Sequence, residues 1–186
     1  RRSSDLLEQV ERAESRDLGL RVFVGRRQAV VAATDDTPAG FVRLAERAVA
    51  MARAVPDDPH AGLAEAPDGG ADLAARLGAL DLVAPGEPDL ATLEARAAAA
   101  EEAALAVPGV TNSEGASADW GIASVAIVAS NGFVGSYART SHGVSVAALA
   151  GTGTAMERDY DHATAVHPED LEDPTAIGRQ AGERAV

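Results

Sequence analysis

Residues Val110 to Asp161 read VTNSEGASADWGIASVAIVASNGFVGSYARTSHGVSVAALAGTGTAMERDYD. Apolar and polar residues alternate through this stretch, glycine-containing turns interrupt it, and a charged cluster closes it. Successive side chains of a strand point to opposite faces, so such alternation specifies half-buried strands. Ser124 to Ser130 (SVAIVAS) and Gly143 to Ala150 (GVSVAALA) have the length and β-branched content of strands. Between them lies Ser130-Asn131-Gly132-Phe133. Asn-Gly tolerates the positive φ values of a two-residue type I′ hairpin turn, and that turn is expected here. The fold class is therefore α/β of the α+β kind, an antiparallel β-meander sheet with helices packed on it.

Upstream, Gly19 to Gly25 (GLRVFVG) puts Leu20, Val22 and Val24 on one face, and Gln28 to Ala33 continues as its hairpin partner. Thr37-Pro38 then supplies a helix cap followed by proline at the first helical position, where the missing N–H costs nothing. Phe41, Leu44, Ala48, Met51 and Val55 follow at helical spacing, so Pro38 to Ala54 is read as an amphipathic helix. Residues 56–70 (PDDPHAGLAEAPDGG) lack periodicity and are read as a mobile loop. A short Ala71–Leu77 turn and a Leu80–Val83 piece lead to Pro88-Asp89, which caps an Ala-rich helix from Leu90 to Ala106 that Pro108-Gly109 ends. Asp173-Pro174 opens a last helix from Thr175 onward, still open at Val186. The amino-terminal residues Ser3 to Ala13 carry a helical pattern at positions 6, 7, 10 and 13. Their likeness to a relative's strand, taken up below, favours a strand over Gln9–Glu14 instead.

The formal net charge is −13, and all 16 basic residues are arginine. Nucleic-acid affinity comes largely from displacing counterions with Lys and Arg, so a chain this acidic is expected to bind no nucleic acid. Cysteine is absent, which removes disulfides, thiolate nucleophiles and thiolate metal sites and fits a reducing compartment. No apolar run approaches the roughly 18 residues of a membrane span, and no export signal opens the chain, so a cytoplasmic protein without membrane contact is expected. Aromatic content is only 3%, which leaves Ala, Val and Leu to fill the core.

The four histidines, His60, His142, His162 and His167, fit no H-E-x-x-H arrangement, which would place two imidazoles on one helix face with a carboxylate between them. His162 and His167 lie near Asp159, Asp161, Glu169 and Asp170, but a spacing of five suits neither a helix nor a strand face, and Pro168 interrupts the segment. Ser141-His142 are neighbours in a strand and point to opposite faces, so they cannot share a proton as nucleophile and base. Gly151-Thr152-Gly153-Thr154-Ala155 has Met156 where a dinucleotide fingerprint needs Gly or Ala, and reads as a bend between strands. Asn112-Ser113-Glu114 is either a turn that caps its own backbone or a contact site. Glu157 to Asp161 is either a solvated ion-pair strand or a partner surface anchored by Arg158 and Tyr160.

Taken in order, GVTNSEGAS, then SNGF-x-G-x-Y, the Ser141-His142 pair, Ala150-Gly151 and MERDYD at Met156–Asp161 resemble the amino-terminal half of the TldD/PmbA family, also called modulator of DNA gyrase. The likeness is strongest over Leu105–Val186, moderate over Gly19–Ala54 and weak between Pro56 and Pro88; LLEQVERAES resembles a family strand. It implies that residues 1–186 are the amino-terminal α/β domain of a longer cytosolic protein whose carboxyl-terminal domain is absent here. In the TldD branch that second domain carries a histidine and glutamate zinc site, and TldD with its PmbA-type (TldE) partner forms a heterodimeric metalloprotease that cleaves unfolded peptides, including bacteriocin precursors and an antitoxin. MERDYD resembles the PmbA branch, whose members lack the zinc ligands, so the resemblance carries no catalytic or metal residue onto this chain. Zinc is expected in the partner subunit and no cofactor in this one. Asn112, Ser113, Glu114, Asn131, Gly132, Phe133, His142, Arg158 and Tyr160 are the candidates for binding an unfolded peptide or a TldD-like catalytic subunit; Asp119 and Trp120 receive no role. The alternative is a peptide- or protein-binding scaffold module unrelated to proteolysis.

Overall fold

A computed structural model describes residues 9–65 and 70–186. Among these residues the contacts fall into two compact units, one over residues 9–65 and one over residues 70–186.

In the first unit, β1 (Leu18–Val24) pairs antiparallel with β2 (Arg27–Ala33), from Leu18 opposite Ala33 to Val24 opposite Arg27. Gly25, with φ +61°, takes the first position of the two-residue turn, the place a type II′ hairpin reserves for glycine. Helix α1 (Pro38–Ala54) starts where Thr37 accepts a hydrogen bond from the Gly40 amide at 3.0 Å, as its cap residue and proline predict. Its Leu44 and Ala48 pack on Val31, with Leu18, Leu20, Val22 and Ala33 around them. The strand expected over Gln9–Glu14 is absent, for residues 9–17 enter neither strand nor helix; the helical alternative at positions 6 and 7 lies outside the described residues. The loop read as mobile over 56–70 is tied down in its described part. The Asp58 amide donates to the Arg26 carbonyl at 2.7 Å and Arg27 pairs with Asp57 at 2.6 Å, while residues 66–69 lie outside the described residues.

The second unit is the β-meander with two helices, Leu90–Leu105 and Pro174–Ala185, packed on one face. α2 (Gly70–Ala79) replaces the short turn expected at Ala71–Leu77; Leu73 and the Phe133 ring fill the space that a side chain on Gly135 would need, a tertiary contact that no local pattern announces. α3 (Leu90–Leu105) begins at the cap Asp89, which accepts from the Thr92 amide at 2.8 Å. Then come β3 (Val110–Val128), β4 (Val134–Ala150) and β5 (Glu157–Ala165), antiparallel in that order, and α4 (Pro174–Ala185), capped by Asp173. The strand expected at Ser124–Ser130 is only the far end of β3. The first half of β3, with Gly115, Asp119 and four alanines or serines, has weak intrinsic strand preference and is made a strand by its ladder with β4.

The turn differs from the type I′ expectation as well. The Gly132 amide donates to the Ala129 carbonyl at 3.0 Å and the Ala129 amide to the Phe133 carbonyl at 2.9 Å, enclosing the three-residue loop Ser130-Asn131-Gly132. Positive φ falls on Gly132 alone, at +92°, whereas a type I′ turn needs it at both central residues. Asn131 contributes through its side chain, which accepts from the Phe133 amide at 3.2 Å.

Alternation of faces along β4 sets the core. Val144, Val146, Ala148 and Ala150 point to one side and meet Ala100 and Ala104 of α3 and Ile177, Ala181 and Ala185 of α4. The two helices approach closely because small residues line their contact. A side chain on Gly178 would run into the Ala100 carbonyl, and one on Gly182 would stand 2.7 Å from a Val107 methyl. Beyond α3 and α4, the far halves of β3 and β4 continue as a two-stranded ribbon with Ile122, Val125, Ile127, Val128, Val134 and Tyr137 exposed.

Candidate functional site

The nine residues singled out in the sequence fall into three places. Five of them gather at the end of the meander near Ala150, where Glu114, Arg158 and Tyr160 lie on the face of the sheet opposite α3 and α4. β3 slips register twice there, between Val110 and Asn112 and between Ser113 and Gly115. In the second slip the Ser113 hydroxyl accepts from the Gly115 amide at 2.8 Å and donates to the Ala147 carbonyl at 3.2 Å, so the side chain caps its own backbone. Glu114 reaches over β4 to Arg158 on β5, with Nε 2.5 Å from the carboxylate. The two edge strands stand about 10 Å apart, and the small Ala147 on the central strand leaves the long side chains a path across it. The Arg158 guanidinium lies 5.8 Å from the centre of the Tyr160 ring, and that ring stacks on His162 with centres 6.2 Å apart. Both members of the ion pair are about half exposed, which limits its contribution to about 1 kcal/mol or less. On the other side of β5, Arg184 of α4 bridges Asp159 and Asp161 at 3.5 and 3.1 Å and fixes the strand to the helix layer.

Asn131, Gly132 and Phe133 occupy the tip of the ribbon. Val128 lies thirteen residues beyond Gly115, which at the rise of a strand puts the tip about 40 Å from the Glu114–Arg158 pair. The two groups are separate places.

His142 is the third, on the helix-covered face and 2% exposed. Its register partner across the ladder is Trp120 on β3. Arg96 of α3 brings Nη1 to 3.5 Å from His142 Nδ1. A guanidinium can only donate, so Nδ1 must accept and the ring proton sits on Nε2. Burial, and after it the Arg96 charge, lowers the His142 pKa below the ordinary 6.5, against opposing pulls from Glu169 and Asp119. The imidazole is therefore neutral, and its Nε2–H meets no acceptor among the described residues; the buried Trp120 indole Nε1 is likewise unpartnered. Such a donor costs about 1–3 kcal/mol when nothing meets it. Sequence reasoning missed Trp120 and Arg96. The available signal was the sole tryptophan standing in an otherwise small, polar strand.

Next to this cluster Thr140, 1% exposed, knits the connecting segment to the sheet. Its hydroxyl accepts from the Ala84 amide at 2.8 Å and donates to the Val166 carbonyl at 3.0 Å, while its amide donates to the Leu82 carbonyl at 2.9 Å. His167 joins the same segment through Nε2 to the Asp81 carbonyl at 2.8 Å, a bond that raises its pKa above 6.5.

The remaining histidines do not converge. His162 stacks on Tyr160, His167 holds Asp81, and among the described residues no three of His, Asp and Glu are placed to share a metal ion. A catalytic zinc, which normally takes three protein ligands, finds no fitting set among them. No helix among the described residues is long and apolar enough to cross a membrane.

The same division of the chain appears in comparisons with known proteins. Residues 84–186 match the PmbA/TldA metallopeptidase central domain and residues 4–52 match PmbA/TldA metallopeptidase domain 1. The chain is 31% identical over 188 residues to the metalloprotease PmbA of Escherichia coli O157:H7 and 26% identical over 188 residues to a PmbA homologue of Haemophilus influenzae. Each alignment takes in 97% of this chain and 39% of the relative, so the chain spans about two fifths of their length. Among solved structures, a protein assigned as a modulator of DNA gyrase from Bacteroides thetaiotaomicron superposes with a TM-score of 0.79 at 21% identity, over 96% of this chain and 41% of that one. TldE from Thermococcus kodakarensis gives 0.63 at 14% identity, over 90% and 36%. At these identities the structural likeness speaks for the fold.

Proposed function

The chain belongs to the PmbA/TldA metallopeptidase family, and from that premise we propose that it serves as the non-catalytic, substrate- and partner-engaging portion of a TldD/TldE-type protease. The observation that carries the reading is β3. Among the described residues it is a 19-residue strand at the edge of its sheet, paired on one side only, and its far half is exposed on both faces. Unpaired N–H and C=O groups along such an edge can take up an extended peptide by main-chain hydrogen bonds, which tolerate many sequences. That tolerance suits a protease of unfolded peptides. The Glu114–Arg158–Tyr160 group, at the other end of β3 and about 40 Å from the ribbon tip, offers a second surface with the Arg and Tyr anchors that protein interfaces favour. The metal and the hydrolytic chemistry then belong to a TldD-like catalytic subunit, in the cytoplasm.

The fold supports the division of labour. Rigid pairing on the β4 side holds the edge of β3 open, and the net charge of −13 favours basic peptides at low salt. A basic unstructured peptide is titrated into the 15N-labelled chain while backbone amides are followed. Shifts concentrated on β3 and weakened by salt are expected, and flat amides across residues 110–128 would remove the peptide-binding role. Mixing the chain with a zinc-loaded TldD-like protein tests the partnership, because co-elution is expected and Arg158→Ala together with Tyr160→Ala should weaken it.

A further inference from the structure

We propose that Arg96, Trp120 and His142 form a binding site for a single carboxylate group, on the helix-covered face of the meander. Three donor-bearing side chains from two layers share this face. Arg96 comes from α3, while Trp120 and His142 stand opposite each other on β3 and β4, so their side chains leave the same face of the ladder. Arg96 approaches Nδ1, which leaves Nε2–H as the free donor, and the indole N–H of its register partner Trp120 has no acceptor among the described residues either. His142 is 2% exposed.

The character of the missing partner follows from this inventory. Every group offered is a donor. A water molecule accepting from two of them would need two further acceptors for its own hydrogens, whereas an ionised carboxylate only accepts and has about four lone-pair positions to offer. The charge count agrees. With the imidazole neutral, Arg96 is, among the described residues, the formal positive charge in contact with the cluster, enough to match a monoanion. Glu169, on the 3-10 turn Pro168–Asp170, acts on His142 through space and makes no hydrogen bond to it; Asp119 carries its carboxylate over Gly143, on the opposite face of the sheet, and His167 is engaged with Asp81. None of these supplies the acceptor. The carboxylate can be a free small acid or the carboxyl group of a polypeptide, and the two share the chemistry that the site reads.

Trp120 is the sole tryptophan, so its indole N–H gives one assignable cross-peak in a 1H–15N spectrum. Acetate, acetyl-Ala-Ala as the free acid, and the same dipeptide as its amide are each titrated into the chain at constant ionic strength held by sodium chloride. A saturable downfield shift of the indole proton is expected with acetate and with the acid, and none with the amide. Tighter binding of the acid than of acetate identifies a polypeptide carboxyl as the natural occupant; equal or weaker binding identifies a free small acid. Arg96→Gln should weaken the interaction about tenfold or more while the indole peak stays in its folded position. Absence of a saturable shift with any carboxylate overturns the proposal and leaves the two donors to water. A response to the amide equal to that of the acid overturns it in favour of a neutral carbonyl, and unchanged affinity in Arg96→Gln removes the charge from the site.

Discussion

Replacing Gly178 by alanine adds one methyl group at the crossing of α3 and α4, and its effect follows from geometry. The added Cβ would overlap the Ala100 carbonyl oxygen and stand 2.9 Å from both the Ala100 carbonyl carbon and the Ala103 Cβ. A carbon and a carbonyl oxygen approach to about 3.3 Å, so the overlapping oxygen forces the helices apart by roughly 1 Å or more, and a gap of about 0.5–1 Å already forfeits a quarter to a half of the dispersion energy of the atoms along it. The obstacle is backbone, which cannot rotate away. Overpacking of this kind costs about 1–3 kcal/mol and belongs here at the upper end, while exchanging glycine for alanine within a helix returns about 1 kcal/mol. A net loss of about 2 kcal/mol remains, or about 4–8 °C in melting temperature for a chain of this size. Thermal unfolding followed by circular dichroism reads the change. Gly182→Ala should cost less, because its nearest obstacle is a Val107 methyl that can turn aside, and Gly78→Ala, with open space around it, should stabilise α2. Gly178→Ala at or above the wild-type melting temperature would refute the close helix contact.

Gly132→Val forces a β-branched residue to φ +92° and should cost about 1–2 kcal/mol, whereas Asn131→Ala loses one side-chain hydrogen bond at about 0.5–1.5 kcal/mol; equal effects in chemical denaturation would contradict the three-residue loop. Thr140→Val preserves shape but leaves the Ala84 amide without its acceptor, at about 1–3 kcal/mol, and should speed amide exchange at Ala84 before any other core site. His142 has a folded pKa below 6.5, so it contributes stability above pH 6.5 that is lost as pH falls through its folded pKa. His167 has the opposite sign, for its raised pKa contributes stability below pH 6.5 that is lost as pH rises through the folded value. Denaturation midpoints of His142→Phe measured from pH 7 downward should show a flatter decline than wild type, and an unchanged slope would separate the acid sensitivity from His142.

Local signals carried the helix ends well. Thr37-Pro38, Asp89 and Asp173-Pro174 marked three starts within a residue, because a cap is a contact between a residue and its own neighbours. The alternation of GVSVAALA likewise announced the core strand whose valines meet α3 and α4. What escaped depends on distant partners. The first half of β3 lacks strand formers and owes its form to β4, the glycines near Gly70 conceal α2, and Asn-Gly at the hairpin serves both a two-residue turn and the end of a three-residue one, so the pattern does not separate them. Of the candidate residues, Glu114, Arg158 and Tyr160 are neighbours only through the register of three strands, and burial of His142 needs Arg96 from 46 positions upstream. Such pairings are invisible to spacing along the chain.

The exposed ribbon at the end of β3 and β4 also limits how its length can change through evolution. Its two strands run side by side for many residues past α3 and α4, and successive residues turn to opposite faces. Adding or removing two residues in each strand lengthens or shortens the ribbon and leaves Val125 and Tyr137 facing as they do. A single residue in one strand instead exchanges the faces of everything beyond it and turns Ile122, Ala126 and Val128 to the side that Tyr137 now occupies. Length variation among natural versions of this ribbon should therefore come in matched pairs, with odd insertions confined to the bulges near Asn112 and Gly115 and to the loop at Gly132.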